Sequence, residues 1–126
     1  MDSTNTKRTL AMSLKALLKE QPLSKISIGE ICDLCYMSRK SFYYHFKDKE
    51  DLISWIFDTE FEEACKEKTR VIDTLIKYFY ENKSFYKKVL KEEGQNSFSD
   101  HLYSFCCALM EDTFKNELGI KELNRF

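Results

Sequence analysis

The sequence predicts an all-α protein, and three observations support that prediction. Only one Pro and three Gly occur in 126 residues, so few positions would interrupt a helix. Apolar residues recur at intervals of three and four along most of the chain, as they do on the buried face of a helix. Capping patterns precede several of these stretches, namely Ser27 with Glu30, Ser38, and Asp48 with Asp51.

Composition narrows the class of protein. Hydrophobic residues make up 43% and charged residues 33%, which is typical of one folded globular domain. No stretch approaches about 18 uninterrupted apolar residues, and no export signal follows residues 1–8, so we expect no membrane span and a cytoplasmic location. The sequence has no Gly-rich phosphate loop, nucleophile elbow or metal-ligand set, so we expect neither an enzyme nor a bound cofactor.

The first third of the sequence predicts a helix, a short helix, a tight turn and another short helix. The first helix spans about residues 4–20 and ends before Pro22. The second spans about residues 28–35, and the turn contains Tyr36. The third continues from its serine cap to about Phe46.

Four more helices are predicted. Helix 4 opens at the Asp48 cap and continues to about Lys68, which is long enough to join the two halves of the chain. The other predicted elements are helices at about residues 70–81, 85–91 with Ser84 as cap, and 98–116, a loop at 93–96, and the start of another helix at 120–126. The apolar face predicted for the helix at 70–81 is Val71, Ile72, Leu75, Ile76, Phe79 and Tyr80.

Residues 37–49 are the most informative stretch because they are basic and aromatic. Phe42 and Phe46 stand four residues apart, so one face of the third helix can be buried. The opposite face carries donors suited to phosphates and base edges, namely Arg39, Lys40, Ser41, Tyr44 and Lys47. The arrangement predicts a helix-turn-helix whose second short helix enters the major groove of DNA. A solvated amphipathic helix is the alternative.

The charge distribution supports the DNA-binding interpretation. Residues 1–49 carry a net charge of +4 and residues 50–126 a net charge of −5, although the whole chain has −1. A basic N-terminal part and an acidic C-terminal part are expected when an N-terminal head binds DNA and the C-terminal body does not. The predicted domains are therefore a helix-turn-helix head at residues 1–48 and a helical body at residues 49–126.

Two other patterns leave alternatives open. Cys32 and Cys35 share an apolar helix face with Ile28 and Ile31, which favours packing over a zinc site or a redox switch. The second half is rich in aromatic residues, which indicates either a ligand pocket or, more often, a core. We therefore expect no metal, and the sequence identifies no ligand-binding residue.

Residues 27–55 resemble the DNA-binding head of the TetR/AcrR family of bacterial transcriptional regulators. The matching residues are Ile31-Cys32, Met37-Ser38, Phe42-Tyr43-Tyr44-His45-Phe46 and Lys49-Glu50-Asp51-Leu52. The run from Arg39 to Phe46 is similar to the branch around the dihydroxyacetone-kinase operon regulator. The resemblance covers residues 6–56 well, and the remainder only in helical layout.

The resemblance implies contacts with the DNA backbone at five positions. Tyr43 would contact a phosphate through its hydroxyl, with its ring against the head, and His45 would lie near the backbone. Lys49 would hold a phosphate with its charge and the N–H groups of the helix end. Ser27 and Gly29 would approach the backbone at the start of the second helix. Packing or an ordinary surface charge is the alternative for each.

The resemblance also implies which side chains read the base sequence. Arg39, Lys40, Ser41 and Tyr44 would face base edges, behind the cap at Ser38. Either Arg39 or Lys40 is suited to bind a guanine.

The sequence departs from the family pattern in two places. Tyr36 stands where the family usually has Gly, and a left-handed backbone is costly for Tyr, so we expect a slightly different turn. The sequence is also short of the two helices by which the family usually dimerises. It is therefore expected to be a fragment, to dimerise differently or to have lost the dimer.

The resemblance implies a TetR-like DNA-binding transcriptional regulator, and we expect a repressor. A homodimer would bind a near-palindromic operator in double-stranded DNA, and a small-molecule effector bound to the body would alter operator affinity. The alternative is a co-regulator or adaptor on the same fold that acts through a protein partner.

Overall fold

The computed structural model describes residues 3–66, 70–91 and 98–118, which are helical and contain no strand. The helices are α1 (Ser3–Leu18), α2 (Ile28–Leu34), α3 (Arg39–His45), α4 (Lys49–Ala64), α5 (Val71–Glu81), α6 (Lys83–Val89) and α7 (Phe98–Leu118), with a 3-10 helix (Leu23–Lys25) between α1 and α2. The all-α prediction is confirmed. Within these ranges no helix is both long and apolar enough to cross a membrane.

A single hydrophobic core joins the described helices. α1 packs against α2, α3, α4 and α6, while α4 also packs against α5 and α7. The cluster includes Leu10, Leu14, Ile31, Phe42, Phe46, Leu52, Ile56, Phe57, Tyr78, Tyr86 and Phe98. Because α4 contacts both the head and the other helices of the body, its position links the two.

Side-chain caps fix the starts of α2, α3 and α4, as the sequence predicted. The Ser27 hydroxyl accepts a hydrogen bond from the Glu30 backbone N at 3.0 Å, and the Glu30 carboxylate accepts one from the Ser27 backbone N at 3.2 Å. The Ser38 hydroxyl accepts from the Ser41 backbone N at 3.1 Å. Asp48 caps α4 in the same way. Each such cap typically stabilises a helix by about 1 kcal/mol.

The turn between α2 and α3 adopts the left-handed backbone that glycine usually supplies. Tyr36 has φ 58°. Its N–H donates to the Asp33 carbonyl at 3.3 Å, and the Met37 N–H donates to the Cys32 carbonyl at 2.9 Å. These two bonds form a Schellman motif, which satisfies the last carbonyls of α2. The expectation of a different turn is therefore wrong, because closing α2 requires this conformation even for Tyr.

Several predicted boundaries in the body are wrong or lie outside the described residues. α4 ends at Ala64 rather than near Lys68. Ser84 does not cap α6, because α6 begins at Lys83, directly after Asn82 ends α5. The predicted loop at 93–96 and helix at 120–126 lie outside the described residues.

The apolar face predicted for α5 is wrong in part. Thr74 and Tyr78 are its buried residues, whereas Val71, Ile76 and Tyr80 are exposed. α5 does have one pronounced apolar side, but the helix packs on the core through Thr74 and Tyr78 at the edge of that side, so part of the apolar side remains exposed.

Aromatic rings form the core of the body. Phe57 of α4 is fully buried, and the centroid of its ring lies 5.1–6.3 Å from seven other rings. Those rings belong to Phe61, Tyr78, Phe79, Tyr86, Phe98, His101 and Phe105. Edge-on and stacked ring pairs of this kind add to the hydrophobic stabilisation. The aromatic residues around Phe57 therefore serve as packing.

A chain of polar contacts crosses the same region. The Tyr78 hydroxyl donates to the Glu60 carboxylate at 2.7 Å and is hydrogen-bonded to the Tyr86 hydroxyl. Glu60 also forms an ion pair with Lys15 of α1. Burial raises the pKa of both phenols above the ordinary value, so ionisation of either tyrosine is disfavoured in the folded protein.

Candidate nucleic-acid interface

The back of α3 is held firmly in the core. Phe42 is fully buried and Phe46 nearly so. Their ring centroids are 5.7 Å apart, and Phe46 lies 6.0 Å from the ring of Trp55 in α4. Packing therefore fixes the rotation of α3 about its own axis, and with it the side chains that face solvent.

The front of α3 exposes the predicted donors. Arg39, Lys40, Tyr43 and Tyr44 are exposed, with Tyr44 at 82% and Tyr43 at 56%. Ser41 is half-buried, and its backbone N–H is bonded to the Ser38 cap. The structure thus exposes three of the four predicted base-reading side chains, Arg39, Lys40 and Tyr44, and leaves Ser41 half-buried.

Tyr43 and His45 each rest against a neighbouring ring. The Tyr43 ring meets the ring of Phe42 edge-on at 5.4 Å, so it lies against the head while its side chain remains half exposed. The half-buried His45 meets Tyr44 edge-on at 5.0 Å. Rings held in this way present their polar atoms from fixed positions, which suits contact with a phosphate.

Gly29 gives Arg39 room to lie across the first turn of α2. A Cβ at Gly29 would be 2.6 Å from Nη2 of Arg39. Gly29 is buried, while the neighbouring Ser27 cap is exposed. The structure thus brings Arg39 to the end of α2 that was predicted to approach DNA. Sequence reasoning missed this contact, since nothing local links residues ten positions apart.

The side chain of Lys49 packs against the head rather than extending into solvent. Its ammonium donates to the carbonyls of Leu23 and Ile26, at 2.8 Å each. An ammonium has three N–H donors, so one remains for a phosphate. The predicted phosphate contact stays a prediction, and the structure adds a second role: Lys49 ties the start of α4 to the connector between α1 and α2.

The two cysteines of α2 behave as packing residues. Burial raises the pKa of the Cys32 and Cys35 thiols, which disfavours the thiolate that zinc binding or oxidation requires. Cys35 is also hydrogen-bonded to the Ile31 carbonyl at 3.3 Å. Within the described residues no cluster of His, Cys, Asp and Glu could hold a metal ion.

The geometry defines the class of protein. A short helix with a fixed apolar back and an exposed front of Arg, Lys and Tyr, braced by a capped helix across a tight turn, is a helix-turn-helix module for DNA. Residues 14–54 match the family described as bacterial regulatory proteins, tetR family, and residues 66–125 match the transcriptional regulator C-terminal region.

The chain belongs to the TetR family of bacterial transcriptional regulators, a family of regulators rather than enzymes. The resemblance found in the sequence is confirmed.

Two matches are to regulators of dihydroxyacetone kinase operons. The HTH-type dhaKLM operon transcriptional activator DhaS of Lactococcus lactis subsp. lactis is 29% identical over 90 residues, which cover 67% of this chain and 48% of that protein. A solved structure of a dihydroxyacetone kinase operon activator DhaS is 28% identical with a TM-score of 0.58, over 70% of this chain and 53% of that one. The chain thus spans about half the length of the relatives it matches.

Proposed function

We propose that this protein places α3 in the major groove of double-stranded DNA and regulates transcription from a nearby promoter. The observation that carries the proposal is the front of α3, where Arg39, Lys40, Tyr43 and Tyr44 are exposed while Phe42 is fully buried. Arg and Lys read guanine, and tyrosine hydroxyls bind phosphates. Family membership supports the same function.

We further propose that the protein acts on DNA as a homodimer, as TetR regulators usually do. Two heads would bind half-sites about 34 Å apart, one turn of the double helix, on a near-palindromic operator. The predicted head at residues 1–48 would supply the DNA contacts, and the body at residues 49–126 would control their spacing.

The sign of regulation is part of the proposal. The sequence alone suggested a repressor, whereas the relative in Lactococcus lactis is named as an activator. That name supports activation as the sign to test first, with a reporter gene placed behind the DNA upstream of this protein's own gene.

A co-regulator that acts through a protein partner is the second candidate. It is favoured by large apolar side chains exposed on the body, including Ile76 at 64%, Tyr80 at 69% and Tyr103 at 72%. The rings around Phe57, by contrast, pack on one another, which lessens the case for an effector among them.

Fluorescence anisotropy tests the proposed function. The labelled DNA is the region upstream of the protein's own gene, at about 0.15 M salt with excess unrelated competitor DNA. We expect saturable binding that survives the competitor. Binding that the competitor abolishes would refute sequence-specific recognition by the protein alone. Recovery of specific binding on adding a partner protein would then support the co-regulator.

A further inference from the structure

A groove lies between α1 and the corner at which α5 ends and α6 begins. It has a volume of about 230 Å³. Three lysines line it, namely Lys15 from α1, Lys19 directly after the end of α1, and Lys88 from α6. This groove is separate from the front of α3, and nothing in the proposed DNA contact uses it.

The groove carries a net positive charge. Glu60 pairs with Lys15, but Lys19 and Lys88 have no carboxylate partner within the residues that the structure describes. Glu81 lines it too, but this carboxylate lies 3.9 Å from the ammonium of Lys77, which shares its charge. A second groove shares Lys19 and Lys88 and adds Lys91 and Glu20, so lysines still outnumber carboxylates there. The positive charge therefore continues along the joint between α1 and α6, and a small anion would gain from it.

The groove also has an apolar side. Leu18 is buried and the ring of Phe85 is half-buried, and both line the groove. The Lys15 ammonium lies 5.6 Å from the centre of the Phe85 ring. Lysines beside an aromatic ring and a leucine match a ligand that has an anionic group and a short apolar part.

We propose that this groove binds a small organic anion, a carboxylate or phosphate attached to an apolar group of a few carbons. Lys19 and Lys88 would hold the anionic group, and Phe85 would pack on the apolar part. The volume is below the roughly 300–1,000 Å³ typical for drug-sized ligands, which favours a small molecule.

Lys19 and Lys88 can bind an anion without breaking existing contacts, whereas Lys15 is already paired with Glu60. The side chain of Lys19 is exposed and makes no hydrogen bond or ion pair within the part of the chain that the structure describes. The Lys88 ammonium donates to the Leu18 carbonyl at the end of α1, which leaves two of its three N–H donors. A bound anion would thus bridge α1 and α6 without breaking that bond.

The position of the groove implies an effect of anion binding on DNA binding, and this effect rests on the proposed function. α1 belongs to the head, and α6 belongs to the body. An anion held by Lys19, directly after α1, and by Lys88 of α6 would strengthen the joint between the two helices, so its binding would change the affinity of the head for DNA.

Titration of the full chain with phenyl phosphate tests the site without DNA, followed by isothermal calorimetry or amide NMR shifts. We expect a Kd of about 1 mM, as suits a probe of this size. Lys19→Met and Lys88→Met should each raise Kd about tenfold, or ~1.4 kcal/mol. Lys87→Met is the matched control, since Lys87 is adjacent and exposed but does not line the groove, and it should leave Kd unchanged.

Two outcomes would overturn the site. One is an unchanged Kd in Lys19→Met, a variant expected to fold because its side chain is exposed. The other is equal weakening by Lys87→Met, which would mean unspecific attraction of the anion to surface charge. Neither outcome bears on DNA binding by α3, so the proposed function would stand. If phenyl phosphate binds but leaves DNA affinity the same in wild type and Lys19→Met, the coupling to DNA is wrong.

Discussion

The head and the body of this protein are stabilised in different ways. In the head, serine caps fix the starts of α2 and α3, and the core consists mostly of Leu and Ile around Phe42. In the body, α5 and α6 begin without a side-chain cap, and their position depends on rings packed around Phe57. The head thus combines local caps with a packed core, whereas α5 and α6 of the body depend on contacts between distant helices.

This difference suits the two parts to different tasks. A helix that reads bases must keep its side chains in fixed directions, and local caps with a buried back provide that rigidity. A body that depends on distant contacts can shift as a unit when one of them changes, because packed cores rearrange between discrete arrangements. The following predictions test this contrast, from the largest expected effect to the smallest.

Phe57→Ala should have the largest effect, since it removes the ring at the centre of the body core. Truncation of a buried Phe typically lowers the free energy of unfolding by about 3–5 kcal/mol. Denaturant unfolding followed by circular dichroism measures the change. Phe85→Ala is the control, because that ring is only half-buried. A loss in Phe57→Ala no larger than that of the control would contradict the central role of Phe57.

Alkaline pH should destabilise the body through its tyrosine pair. Burial raises the pKa of Tyr78 and Tyr86 above their ordinary value of about 10, so the native state retains protons that the unfolded state releases. The stability is fully present below pH ~10 and is lost as the pH rises above it, by about 1 kcal/mol for each tyrosine at pH ~11.

Urea unfolding between pH ~9 and ~11 measures this loss. Tyr78→Phe removes one of the groups with a raised pKa, so its stability should fall with pH less steeply than that of wild type. Tyr80→Phe is the control, because the Tyr80 side chain is 69% exposed and lies outside the hydrogen-bonded pair of Tyr78 and Tyr86. A slope that Tyr78→Phe leaves unchanged would refute the prediction.

The sequence predicted the features that depend on neighbouring residues and missed those that depend on residues far apart in the chain. The caps at Ser27 and Ser38 and the buried back of α3 arise from spacing within one turn of helix, so the sequence predicted them. The bonds from Lys49 to the Leu23 and Ile26 carbonyls join residues more than 20 positions apart, and no local pattern indicates them. Ser84 looked like a cap, but α5 and α6 are separated only by Asn82, which leaves no room for another.

Tyr36→Gly should stabilise the head. Tyr36 has φ 58° and is 97% exposed, so its side chain contributes little packing to offset a left-handed backbone. Glycine adopts that conformation freely, and relief of about 1 kcal/mol is expected. Thermal unfolding measures the gain, with Tyr36→Ala as the control that keeps the strain. Equal or lower stability in Tyr36→Gly would show that the tyrosine ring has a role of its own.

Gly29→Ala should separate stability from DNA binding. Alanine stabilises the helical backbone by about 0.5–1 kcal/mol relative to glycine. This gain should offset the cost of moving the Arg39 side chain, so the variant should be at least as stable as wild type. Its Cβ would displace the Arg39 guanidinium, so DNA affinity should fall several-fold. In an Arg39→Ala background, Gly29→Ala should cause no further loss of affinity. A further loss there would mean that Gly29 contacts DNA directly.

The central claim is that the front of α3 reads the base sequence. Selection of bound sequences from random DNA, followed by sequencing, tests it in wild type, Arg39→Ala and Lys40→Ala, with Lys87→Ala as the control. Each α3 variant should lose about 1–3 kcal/mol of the free energy of binding to the preferred DNA sequence and should relax its preference at one base pair. The control should keep the wild-type preference. An unchanged preferred sequence in both α3 variants would contradict the assignment of this surface.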